Sequence, residues 1–151
     1  MIINTKGFGW IEIVDEKILR FPRGIYGFEE VHDYVLLGQQ EPADLFLWLQ
    51  AVAHPELCFI VIDPTMFMRD YILNVPEGID EVLALKDDKD LRALCIVTVP
   101  RDRPDDMTCN LKCPLLINDS NHTAMQVILE DDRYDFRHRL LDLLHRGTEG
   151  E

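Results

Sequence analysis

Short apolar runs broken by turn residues set the pattern of this chain. Trp10-Ile-Glu-Ile-Val14 and Ala124-Met-Gln-Val-Ile-Leu129 alternate apolar with polar, the period of a strand with one buried face. Phe59-Ile-Val-Ile62 is apolar throughout and reads as a central strand covered on both faces. The same criteria predict strands at Ile2–Thr5, Lys17–Arg20, Tyr34–Leu37, Phe46–Ala51, Cys58–Ile62, Tyr71–Val75, Leu94–Val99, Thr108–Lys112 and Leu115–Ile117. Many short strands with frequent turns predict a mainly β fold: a small antiparallel, barrel-like single domain with one or two short helices.

Two segments carry the helical period instead. Pro76–Leu85 opens with Pro and Glu and puts Ile79, Val82 and Leu83 on one face. Arg133–Arg146 has Asp132 as its expected cap, an apolar stripe of Phe136, Leu140, Leu143 and Leu144, and Gly147 as its expected end. With no repeat, linker or low-complexity tract, the expectation is one domain over residues 1–147 and a frayed tail over 148–151.

The segment Ile18-Leu-Arg-Phe-Pro-Arg-Gly-Ile-Tyr-Gly-Phe28 departs from simple alternation. Pro22 fixes φ while Gly24 and Gly27 permit positive φ, so two tight turns carry Phe21, Tyr26 and Phe28. This is a device of shape, since it holds no nucleophile, strong base or metal ligand.

Composition narrows the function classes. The 151 residues contain 28 acidic and 15 basic side chains, a formal net charge of −13, with 47% apolar residues. Direct nucleic-acid binding needs a basic surface, so this balance argues against it and favours a basic protein partner. No apolar run is long enough to span a bilayer, and the first residues lack a secretory pattern, so the expected location is the cytoplasm.

Catalytic and metal patterns are weak. Cys58 and Cys95 sit in apolar strands and read as buried thiols, and a disulfide is not expected in a reducing compartment. Cys109 and Cys113, in extended chain, would stand about 13 Å apart, too far to share one metal. Ser120 is the only serine, and it lies in an Asn-Asp-Ser-Asn-His cluster that reads as a hairpin tip. A hydrolase using Ser120 with His122, or loop carboxylates, is the enzyme alternative. No metal, cofactor or catalytic residue is predicted. Acidic loops at Asp87-Asp88-Lys89-Asp90, Asp102 to Asp106 and Glu130-Asp131-Asp132 read as solvated surface or as contacts for a basic partner. Asp63-Pro-Thr-Met-Phe-Met-Arg-Asp-Tyr71 combines thioethers, aromatics and an arginine, types favoured at recognition surfaces. From composition alone, Met66, Phe67 and Tyr71 are the expected apolar anchors, and Asp105, Asp106, Asp131 and Asp132 the expected acidic contacts.

Several of these stretches, in order, resemble the flagellar assembly factor FliW family: Ile18–Phe28, Tyr34-Val-Leu-Leu37, Cys58-Phe-Ile-Val-Ile-Asp-Pro64 with Asp70-Tyr71, Leu94-Cys-Ile-Val-Thr-Val99, Asn110-Leu-Lys-Cys-Pro-Leu-Leu-Ile-Asn118 and Gln126-Val-Ile-Leu129. Tyr26 stands where the family pattern suggests proline, and the C-terminal leucine stripe is unusually strong. The resemblance implies a non-enzymatic cytoplasmic regulator. Such a protein binds the carbon storage regulator (CsrA), a dimeric RNA-binding repressor, and binds flagellin in exclusion of it. It also implies that capture weakens RNA binding allosterically, coupling flagellin synthesis to export. A dedicated flagellin chaperone is the alternative within the family.

Overall fold

The computed structural model describes residues 1–38, 44–71 and 76–149, with side chains described as far as His145. Strands β1 (Ile2–Thr5) and β2 (Gly9–Glu12) form a separate antiparallel hairpin. The remaining strands are β3 (Leu19–Arg20), β4 (Asp33–Leu37), β5 (Phe46–Ala51), β6 (Cys58–Ile62), β7 (Leu91–Thr98), β8 (Thr108–Cys109), β9 (Leu115–Asn118), β10 (Thr123–Gln126) and β11 (His138–Arg139). Neighbours run β11-β8-β7-β6-β5-β4-β3-β10-β9, and β9 pairs again with β7. That last pairing closes seven strands into a ring, which leaves no open edge among them. Every pairing is antiparallel except β10 with β3, a parallel seam at Thr123 and Arg20.

The long β7 makes closure work. Leu91–Leu94 pairs with β9, while Val97 and Thr98 pair with β8, which carries β11 at its far edge. Side-chain alternation then splits the core. Leu19, Tyr34, Leu47, Leu49, Val61, Leu94, Ile117 and Ala124 come from all seven ring strands and form one cluster, the barrel interior. The alternate positions Ile62, Ala93, Cys95, Leu116 and Met125 face outwards under a cover that includes Tyr71, Leu83, Leu111, Tyr134, Leu140 and Leu143. A third cluster packs Ile3 and Ile13 against Val35 and Ile18, seating the N-terminal hairpin on the outside of β4.

Several elements differ from the sequence expectation. Lys17 closes a 3-10 turn over Asp15–Lys17, so β3 keeps only two residues. β7 begins three residues earlier than expected because Leu91, Arg92 and Ala93 are held by β9. Beyond Cys109 the chain turns, with Asn110 Oδ1 accepting the Cys113 amide at 2.9 Å. Tyr71 lies outside any strand, and the rest of the strand expected at Tyr71–Val75 falls outside the described residues. The first helix shrinks to α1 (Ile79–Val82).

The C-terminal helix α2 (Leu140–Glu149) starts seven residues later than predicted and runs through Gly147. Tyr134 turns into the core, Phe136 is exposed, and His138 and Arg139 pair with β8, so residues 133–139 are committed to tertiary contacts before any helix begins. Asp132 therefore does not cap α2. Asp131 instead accepts the Arg133 amide at 3.0 Å, closing a side-chain-bonded turn. Leu140 and Leu143 pack the helix onto the outer core.

Candidate functional site

The aromatic turn is built as scaffold more than as contact. Phe21 is fully buried, its ring edge-on to Tyr34 with centroids 5.2 Å apart. Gly24 has φ +67°, and a Cβ there would stand 2.5 Å from Glu29 Cα, so only glycine fits. The Tyr26 amide donates to Gln126 Oε1 at 2.9 Å, and Gln126 Nε2 donates to the Cys113 carbonyl at 3.2 Å. Gln126 thus bolts this turn to the Asn110–Asn118 stretch. Phe28 is half-exposed, its ring edge-on to Phe59 with centroids 5.4 Å apart.

The segment Asp63–Tyr71 splits by residue. Met66 is exposed at the end of a 3-10 turn capped by Asp63, while Phe67 and Met68 lean onto the outer core. Tyr71 is buried: its hydroxyl donates to the Leu111 carbonyl at 2.7 Å and its ring lies 4.8 Å from that of Tyr134. Tyr71 is thus no surface anchor but the pin that joins this segment to residues 131–134. Burial also pushes its phenol upwards, as it does the neighbouring thiols of Cys95 and Cys109, the latter to about 12. Cys58, expected to be buried, is only half-buried.

Of the four acids expected as contacts, Asp106 and Asp131 carry their own cations. Arg139 reaches Asp106 at 3.1 Å and Asp142 at 4.0 Å. Arg133 reaches Asp131 at 2.7 Å, and its hydrogen bonds hold the Asp131 carboxyl down at about 2. Asp105 and Asp132 are exposed. Exposed pairs of this kind add little to stability, but each leaves its carboxylate less free to attract a partner.

A different acidic surface surrounds α1. A pocket of about 270 Å³ has Ile79, Leu83, Leu85 and Leu91 in its wall and Glu77, Asp80 and Asp88 among its lining residues. Asn118 Nδ2 and Asn121 Nδ2 each donate to the Leu83 carbonyl at 2.9 Å, and the Asp119 amide donates to the Asp90 carbonyl at 2.9 Å. The β9–β10 hairpin thereby fixes the pocket wall. Ser120 and His122 belong to that hairpin tip, with no hydrogen bond joining them among the described residues. Sequence reading divided residues 76–90 between a helix and a loop. The excess of acids was a visible signal, but the wall that gathers them is made by asparagines about thirty-five residues away.

A larger recess of about 630 Å³ opens at one mouth of the barrel, where Leu19 and Leu47 meet Lys17, Arg92, Asp119 and His122. Its charges are mixed, and Arg92 is already paired with Asp119 at 3.1 Å. Among the described residues no helix is long and apolar enough to cross a membrane, and no group of three or more His, Cys, Asp or Glu side chains is placed to hold a metal ion.

Comparison with known proteins agrees with this architecture. A crystal structure of the flagellar assembly factor FliW superposes with a TM-score of 0.83 at 37% identity, covering 93% of this chain and 96% of the other. The flagellar assembly factor FliW of Caldanaerobacter subterraneus subsp. tengcongensis is 39% identical over 144 residues, 95% of each chain. That of Heliobacterium modesticaldum is 42% identical over 142 residues, 93% of this chain and 90% of its own. The family model described as FliW protein matches residues 2–140, and the chain belongs to the FliW family of flagellar assembly factors.

Proposed function

We propose that this chain is a non-enzymatic regulator of flagellar assembly that captures the carbon storage regulator (CsrA) and, exclusively of it, flagellin. The observation that carries the reading is family membership across residues 2–140 in a chain with net charge −13. An acidic surface suits a basic RNA-binding dimer: opposite fields speed encounter, and a captured acidic protein disfavours RNA nearby. Where capture lowers RNA affinity, linkage requires that RNA lower the affinity for this chain by the same factor. Exclusive binding of flagellin then makes free flagellin the quantity that sets how much repressor is captured. The proposed cellular location is the cytoplasm.

Met66, Asp105 and Asp132 remain in the proposal as exposed contacts, with Phe67, Asp106 and Asp131 at their margin. The test mixes the purified chain with each partner separately, then measures RNA binding by the captured repressor. The reading expects a complex with each partner, competition between them, and weaker RNA binding in the repressor complex. Binding to flagellin alone would replace it with a dedicated flagellin chaperone.

A further inference from the structure

Residues 77–91 carry six carboxylates (Glu77, Asp80, Glu81, Asp87, Asp88 and Asp90) against two lysines. None of the six forms an ion pair among the described residues, whereas Asp106 and Asp131 do. Glu77, Asp80 and Asp88 line an apolar-walled pocket, and neither Lys86 nor Lys89 lines it. At about 270 Å³ it falls below the roughly 300–1,000 Å³ of small-molecule sites, a size suited to one or two side chains. Its wall is fixed in advance by the Asn118 and Asn121 bonds to Leu83, so docking need not order it.

We propose that this pocket docks an arginine or lysine, with an apolar neighbour, from an extended segment of a basic protein. The aliphatic stem lies along the partly exposed Leu85 and Leu91, and the cationic head meets Glu77, Asp80 and Asp88. Long cationic side chains bury their methylenes on apolar surface while keeping the charge wet, which matches an apolar wall lined with acids. The three acids are exposed and have no ion pair among the described residues, so an incoming cation has no internal partner to displace. The proposal deepens the capture of a basic partner and relies on that reading only for the identity of the protein that supplies the side chain.

The probe is the peptide acetyl-Gly-Leu-Arg-Leu-Gly-amide, titrated into the full chain by two-dimensional NMR, with its citrulline counterpart as the neutral control. The expected result is chemical-shift change confined to residues 76–91 and 118–121, with affinity at least about tenfold weaker for citrulline. Asp80→Asn with Asp88→Asn, which preserves shape, abolishes the response, and Asp15→Asn with Glu16→Gln, at exposed positions of the 3-10 turn before β3, leaves it intact. Equal binding by the Asp80→Asn/Asp88→Asn variant, or shifts centred elsewhere, overturns the proposal. The repressor is then tested on the same variants. If wild type binds the peptide here but not the repressor, the capture reading fails while the pocket stands. If the repressor binds wild type and the peptide does not dock, the pocket fails while capture stands.

Discussion

Two acidic surfaces of this chain differ in how their charge is held. Over the outer core, Arg139 occupies Asp106 and Arg133 occupies Asp131, so part of the acidity is spent within the molecule. Around α1, six carboxylates have no ion pair among the described residues, and three of them line an apolar pocket. Net charge alone would treat the two alike. Pairing and shape separate them: one surface is partly self-neutralised, and the other keeps its attraction for an outside cation.

The largest expected effect comes from the pocket wall. Leu83 is fully buried, so Leu83→Ala should destabilise the fold by about 2–5 kcal/mol in chemical denaturation, through lost burial and the cavity it leaves. A value below about 1 kcal/mol would mean that the wall is soft and the pocket is not preformed.

Alkaline pH should next probe the core beneath the paired surface. The Cys109 thiol rises from 9.0 to about 12, and the Tyr34 phenol inside the barrel rises from 10.0 to about 12, both through burial. Between the unfolded and folded values the unfolded chain loses a proton that the folded chain keeps. Stability must therefore fall as pH rises, beginning near 9. The contribution is about 2 kcal/mol for the Cys109 thiol at 1.5 pH units above its unfolded value. Thermal melting at stepped pH would show it as a decline starting near pH 9. Cys109→Ser should blunt that decline, at its own cost in core stability.

Tyr71→Phe tests the pin between residues 63–71 and 131–134. Losing the hydroxyl leaves the Leu111 carbonyl without this donor and should cost about 1–2 kcal/mol. The smallest change in stability should come from Arg139→Ala, below about 1 kcal/mol because the pair is exposed. Its informative readout is binding. Freeing Asp106 and Asp142 should strengthen the salt-dependent attraction of a basic partner about twofold; no change would mean that pairing is not what quiets this surface.

The barrel was largely legible in the sequence because its strands alternate or are continuously apolar. Phe46–Ala51 and Cys58–Ile62 have the bounds that their residue pattern gives. Elements failed where tertiary contacts override periodicity. The residues expected to begin the C-terminal helix are taken by the Tyr71–Tyr134 contact and by pairing of His138 and Arg139 with β8. Site residues were harder to read. Met66 and Tyr71 share a recognition-like composition, yet one is exposed and the other is a core pin, a distinction set by Leu111 forty residues away. The acids in loops were visible, but the arginines that neutralise some of them and the asparagines that shape the pocket for others depend on the closed fold.

In the proposed capture of a basic partner, the unpaired acids around α1 supply more of the attraction than the paired acids over the outer core. The direct measurement is the salt dependence of carbon storage regulator binding for wild type, Asp80→Asn/Asp88→Asn and Asp106→Asn/Asp131→Asn. The first variant should lose at least about tenfold in affinity at low salt and flatten the salt dependence, while the second stays within about threefold of wild type. The opposite ranking, or equal losses, would contradict it.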